Sequence, residues 1–219
     1  MIAVPRARSR GFTVALIGCD GAGKTTVGRA LERTQGLHVR YLYMGVSPES
    51  SNRRLPSTRI AHAVKRRRHP CDARAPSVPR RARRAGRAGL RLANRLAEEW
   101  YRQLIAQAHV ARGSIVVFDR HFLADYHASD MAGAGRPLSR RIHGWMLAHA
   151  YPRPGMLILL DAPPDVLHAR KGEGTLASLA SRRADYLGLP GVEVVSATQP
   201  LPAVVADVTA RIRDAAAGR

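Results

Sequence analysis

Short apolar runs alternate along the chain with longer stretches of mixed polarity. Residues 13–17 (Thr-Val-Ala-Leu-Ile), 114–118 (Ser-Ile-Val-Val-Phe) and 155–160 (Gly-Met-Leu-Ile-Leu-Leu) are nearly uninterrupted apolar segments. Runs this short, bounded by turn residues, read as buried strands of a parallel sheet. Residues 37–42 and 192–195 are further strand candidates. Between them the pattern predicts helices over 24–33, around 89–112, near 121–130, and over 137–150, 165–171, 176–187 and 201–217. Leu92, Leu96, Trp100 and Leu104 recur every four residues, which predicts one buried stripe on the 89–112 helix. Residues 45–56 read as a loop, 57–68 as a basic helix, and 69–84, with three prolines, as a flexible excursion. Strands that alternate with helices in this way predict an α/β fold, a parallel sheet with helices on both faces.

Composition adds one local feature. A chain of 219 residues, 45% of them hydrophobic, suits a single domain over 1–219. The net charge is +20, and residues 53–95 alone supply +14 of it, with 15 Arg or Lys against one acid, Asp72. This segment reads first as a solvated, partly flexible basic insertion in an arginine-rich chain. An anionic surface or nucleic acid is the second reading, and a set of phosphate ligands beside an acceptor is the third. No Phe, Tyr or Trp falls within 53–99, which argues against base stacking. Cys19 and Cys71 are too few for a disulfide framework or a zinc site, and the nine histidines show no HExxH spacing. The beginning of the chain lacks a signal-peptide core and no apolar run could span a bilayer, so a cytoplasmic location without a transmembrane segment is expected.

The strongest chemical signal is Gly18-Cys-Asp-Gly-Ala-Gly-Lys-Thr25, which fits G-x-x-x-x-G-K-[ST]. Chance predicts about 0.002 such matches in a chain of this composition. A strand leads in and a helix leads out, as a phosphate-binding loop requires. Gly18, Asp20, Gly21, Ala22, Gly23, Lys24, Thr25 and Thr26 are therefore the candidate nucleotide cradle. Lys24 can reach the β- and γ-phosphates of ATP, and the Thr25 hydroxyl can ligate Mg²⁺. Asp119 ends an apolar strand, where it serves either as a second Mg²⁺ ligand or as a helix cap. Cys19 reads as loop packing, and His121 and His127 as structural.

The run Ala15-Leu-Ile-Gly-Cys-Asp-Gly-Ala-Gly-Lys-Thr-Thr26 resembles the phosphate loop of thymidylate kinases. Three further stretches resemble that family in order and spacing: Val117-Phe-Asp-Arg-His121, Leu157-Ile-Leu-Leu-Asp-Ala-Pro-Pro-Asp-Val166 and Ser196-Ala-Thr-Gln-Pro200. The resemblance implies a five-stranded parallel P-loop fold with a LID over the phosphates, here 170–183. It implies an acceptor-phosphate role for Arg120, an acceptor-facing role for Asp20, and an adenine-side role for Gln199. Gly21 stands where some members carry a basic loop residue, so a LID cation would serve the transition state. Arg170 is the first candidate for it, with Lys171, Arg182 and Arg183 behind.

Two departures fall on the acceptor side. Residues 41–51 lack the family's Arg-Glu-Pro-Gly-Gly-Thr-like run, and 122–128 lack its Ser-x-x-Ala-Tyr-Gln-like segment. The expectation is thus a kinase that uses ATP and Mg²⁺ on a nucleotide-like or other small phosphate-bearing acceptor, with dTMP a poor one. A nucleoside, a sugar or a polynucleotide 5′ end is the alternative acceptor. An ATP-binding regulatory or nucleic-acid-binding protein with little turnover is the alternative from another class, and a homodimer is left open.

Overall fold

The computed structural model describes residues 11–45, 80–122 and 137–218. Eleven elements run through them: β1 (Thr13–Ile17), α1 (Lys24–Glu32), β2 (Val39–Tyr43), α2 (Arg80–Ala111), β3 (Ile115–Asp119), α3 (Leu138–His149), β4 (Met156–Asp161), α4 (Pro164–Lys171), α5 (Leu176–Leu187), β5 (Val192–Ser196) and α6 (Leu201–Ala217). The strands form one parallel sheet in the order β2-β3-β1-β4-β5. Every residue of β1 and of β3 is buried. Successive side chains of a strand point to opposite faces, so both faces of the sheet's centre are covered. That is why these strands read as continuous apolar runs.

The chain divides into two compact units. The first holds Met1–Gly45, Ile105–Asp125 and Pro152–Arg219, and therefore the whole sheet. Within it the chain leaves β1 toward β2 and β3 on one side, and β4 and β5 extend the other side. The strand order reverses at β1, and the carboxyl ends beside such a reversal form a ligand crevice. Gly18, Asp119 and Asp161 all stand at those ends.

The second unit holds Val46–Leu104 and Tyr126–Tyr151, and its described elements are the first part of α2 and all of α3. Here the structure corrects two expectations. Residues 80–84 were expected within the proline-punctuated excursion, yet α2 begins at Arg80, directly after Pro79. Arginine and alanine dominate this turn and favour helix, and the last proline lies just outside it. The predicted apolar stripe is also incomplete, because Leu104 is 62% exposed. A strict four-residue spacing drifts by about 40° per step, so Leu104 is turned roughly 120° from Leu92. Glu98, Glu99, Arg102 and Gln103 are buried there instead. Glu99 accepts from His143 Nε2 at 3.0 and 3.1 Å and from the Tyr151 hydroxyl at 3.0 Å, and Tyr151 stacks on Trp100. Burial and the Glu99 charge both push the Tyr151 phenol well above its ordinary value, so it stays a donor.

Residues 46–79 and 123–136, with the expected loop, basic helix and most of the 121–130 helix, lie outside the described residues. His127 and most of both acceptor-side departures lie there too. Among the described residues no helix is long and apolar enough to cross a membrane.

Candidate active site

The loop after β1 turns on glycines. Gly18 has φ +141°, and a Cβ on it would lie 2.6 Å from the Leu160 carbonyl oxygen. Gly21 and Gly23 also have positive φ, so the loop adopts a path that side-chain-bearing residues rarely follow. It ends at Gly23, where α1 starts with Lys24, Thr25 and Thr26 in its first turn. Those turn N–H groups have no partners within the helix, and its dipole is positive there. Thr26 is exposed. Lys24 is only 7% exposed, and its Nζ donates to the carbonyls of Gly18 at 2.8 Å and Cys19 at 2.9 Å. The lysine thus lies folded over the loop it would serve. Ala22 packs in the core beside it. Cys19 is buried and its Sγ faces the Leu179 carbonyl at 3.7 Å; burial raises its pKa, which suits packing and not nucleophilic work.

Asp119 is fully buried at the end of β3, opposite Leu16 of β1 and Tyr43 of β2 in register. The Thr25 hydroxyl donates to its Oδ2 at 2.6 Å, and the Tyr41 hydroxyl donates to the same oxygen at 2.8 Å. Oδ1 is buried with no hydrogen-bond partner among the described residues. A buried carboxylate oxygen without a partner is costly unless a cation meets it. Thr25 and Asp119 are thus a hydroxyl and a carboxylate at contact, the donor set of a hard oxygen-seeking cation such as Mg²⁺. Among the described residues no bond supports the cap alternative for Asp119. Tyr41 had no motif to mark it. Its ring lies where a Cβ on Gly28 would come within 2.6 Å, so only glycine on α1 lets the tyrosine reach the acid. Burial first, then the Asp119 charge, pushes the Tyr41 phenol far up, and it remains protonated.

Asp20 is the second junction. Arg120 Nη2 donates to its Oδ1, and Arg182 Nη1 donates to its Oδ2 at 3.2 Å. Burial opposes ionisation of Asp20, but Arg120, Lys24 and Arg182 outweigh it and hold the carboxyl below its usual range. Arg120 has φ +62° and is the one residue other than glycine with positive φ among the described residues. That backbone turns its guanidinium back to the loop. On α5 the neighbouring Arg183 makes a paired contact with Asp161, Nε to Oδ1 at 2.7 Å and Nη2 to Oδ2 at 2.8 Å. Two adjacent arginines of one helix therefore meet carboxylates from two strand-end loops.

The structure separates the remaining candidates from this cluster. Arg170 Nη1 donates to the Ala197 carbonyl at 2.9 Å, in the loop after β5 that also carries the exposed Gln199. Lys171 pairs with Glu173 at 3.0 Å. Of the four basic residues flanking the 172–175 loop, Arg182 reaches the phosphate loop through its bond to Asp20. His121 is fully buried against Phe118 and Phe122, and burial lowers its pKa to about 4, a structural setting.

No family model matches the chain. Curated relatives do. The thymidylate kinase of Xanthomonas oryzae pv. oryzae (strain PXO99A) is 32% identical over 219 residues, covering 95% of this chain and 86% of its own length. Those of Xanthomonas euvesicatoria pv. vesicatoria (strain 85-10) and Xanthomonas campestris pv. campestris (strain B100) are 31% and 30% identical over the same shares. Identity at this level over nearly the full length, joined to a parallel sheet whose strand ends carry a phosphate loop and a buried aspartate, means that the chain belongs to the thymidylate kinase family.

Proposed function

We propose that the protein transfers the γ-phosphoryl group of ATP, with Mg²⁺, to a nucleotide-like or other small phosphate-bearing acceptor. One observation carries the reading. Thr25 and the buried Asp119 come from different strand ends and meet at 2.6 Å beside a glycine loop that holds a buried lysine.

In this reading the loop N–H groups and Lys24 hold the β- and γ-phosphates, with Lys24 leaving its two carbonyl acceptors to do so. Thr25 and Asp119 would hold Mg²⁺, whose bound charge offsets that developing on the phosphate oxygens. Tyr41 fixes the Asp119 rotamer. Arg182 is the transition-state cation, kept on Asp20 until substrate phosphate competes for it, and the 170–183 region acts as the LID. Arg120 orients the acceptor phosphate, and its guanidinium fork suits that group better than an ammonium would. Arg170 and Gln199 serve the adenine-side loop.

A coupled assay with ATP over a panel of nucleoside monophosphates, nucleosides, sugars and 5′-hydroxyl oligonucleotides tests this. Turnover on a phosphate-bearing acceptor, lost in Lys24→Ala, supports the proposal. Turnover confined to nucleosides, sugars or oligonucleotides would move the acceptor, and tight ATP binding without any turnover would mark a regulatory ATP-binding protein.

A further inference from the structure

β2 ends in two tyrosines, Tyr41 and Tyr43, with Leu42 between them. Side chains alternate along a strand, so the two rings lie on one face, with Tyr43 about 6–7 Å nearer the carboxyl end. Tyr41 is committed to Asp119. Tyr43 is half-buried and stands opposite Asp119 in register, at the strand ends where the crevice opens. Its hydroxyl makes no hydrogen bond among the described residues.

Gly45 shows what that hydroxyl faces. A Cβ on Gly45 would lie 2.6 Å from Tyr43 Oη and 2.9 Å from Arg120 Cδ. Two atoms at those distances from one point are at most 5.5 Å apart. The Tyr43 hydroxyl and the carbon next to the Arg120 guanidinium are therefore neighbours. They meet because buried Gly45 has no side chain to part them. Gly28 makes room for Tyr41 on the metal side in the same manner. Arg120 is held at φ +62°, and such backbone in a residue other than glycine gathers at functional sites.

We propose, resting on the phosphotransfer reading and narrowing its acceptor, that Tyr43 is an acceptor-binding residue whose hydroxyl donates to the acceptor's phosphate beside Arg120. A phenol O–H is a donor and phosphate oxygens accept, so the hydroxyl and the guanidinium hold one group at two points. An incoming dianion competes with Asp20 for the arginine, whereas Tyr43 has no bond to give up. Such a pair suits a phosphate monoester and offers no charge match to a free nucleoside or sugar. Tyr43 also lies within residues 41–51, which lack the family's Arg-Glu-Pro-Gly-Gly-Thr-like run. The phenol thus supplies an acceptor-side donor from this chain's own sequence.

Tyr43→Phe tests this, because it keeps the ring beside Gly45 and removes the donor. With the phosphate-bearing acceptor that turns over best, the KM for that acceptor should rise about tenfold or more, since the lost bond is to a charged group. The kcat, the KM for ATP and the melting temperature should stay near the parent's, a split that a packing role would not produce. Gly45→Ala keeps both side chains but presses on their flexible ends, and should give the same pattern. A second measurement needs no turnover: calorimetric titration of inorganic phosphate into the full chain saturated with ADP and Mg²⁺. Tyr43→Phe should weaken phosphate binding about tenfold. If it does so while no acceptor in the panel turns over, the phosphotransfer reading fails alone and Tyr43 stands as a phosphate contact. If the acceptor KM and the phosphate affinity of a folded Tyr43→Phe chain both stay within twofold of the parent's, Tyr43 is packing and the proposal is overturned. A parent chain that neither turns over a phosphate-bearing acceptor nor binds phosphate would overturn it as well.

Discussion

Tyr41→Phe offers a clean perturbation of the proposed metal site. It removes one oxygen atom and keeps the ring that packs over Gly28. The lost bond is the 2.8 Å donation to Asp119 Oδ2, made to a charged group that is fully buried. Such bonds contribute about 1.5–3 kcal/mol, or roughly ten- to a hundredfold in an equilibrium or rate. Thr25 still donates to the same oxygen, so the carboxylate is loosened and not released. The expected result is a fall in kcat of about tenfold at saturating ATP. It should come with a higher Mg²⁺ concentration for half-maximal rate, a small change in the KM for ATP and a melting temperature within a few degrees of the parent. Because the phenol pKa is pushed far up, the effect should be the same at pH 7 and pH 9. A coupled assay under Mg²⁺ titration measures all of this. If kcat and the Mg²⁺ midpoint both stay within twofold of the parent in a folded variant, Tyr41 does not position Asp119 and the metal assignment loses its support.

Four further outcomes are expected. Lys24→Ala should abolish phosphoryl transfer with an intact fold by circular dichroism, since the lysine donates to loop carbonyls of Gly18 and Cys19; parent-like turnover would remove the phosphate-loop assignment. Arg182→Ala should lower kcat at least about a hundredfold with little change in ATP affinity, while Arg170→Ala should act mainly on the KM for ATP; the reverse pattern would return the transition-state role to Arg170. Burial holds His121 neutral with a folded pKa near 4 against an ordinary 6.5, so its contribution is complete above pH 6.5 and is lost as pH falls toward 4; denaturant melts should show up to about 3 kcal/mol of acid loss that His121→Gln flattens, and an unchanged pH slope in that variant would refute this. Kinetics with dTMP should give a kcat/KM on the order of a hundredfold below that of the preferred acceptor, because two charged contacts of the family's missing run are absent; efficient dTMP turnover would overturn the acceptor argument.

The sheet, the phosphate loop and most helix positions were legible because each is written locally. Residues 14–17 and 115–118 are apolar without interruption since both faces are covered, and Gly18–Thr25 spells out a backbone path. What escaped the sequence depends on the third dimension. Tyr41 is one of six tyrosines until β2 pairs with β3 and Gly28 opens the way to Asp119. Sequence position puts Arg170 ahead of Arg182, and the difference between them shows only once Arg182 bonds Asp20 on the phosphate loop and Arg170 bonds the Ala197 carbonyl. Residues 92–104 show an apolar spacing of four, but a helix turns at 3.6, and the buried line passes instead through Glu98, Glu99, Arg102 and Gln103.

The left-handed backbone at Arg120 matters for anyone who sets out to harden this protein. A side-chain-bearing residue in that conformation costs about 1–2 kcal/mol relative to glycine. Libraries sorted for heat resistance alone should therefore enrich Gly and Asn at position 120. Those replacements would relax the peptide while deleting the guanidinium on Asp20, which in the proposed reading yields sturdier chains with impaired turnover. Position 120 is one to freeze before any such sorting begins.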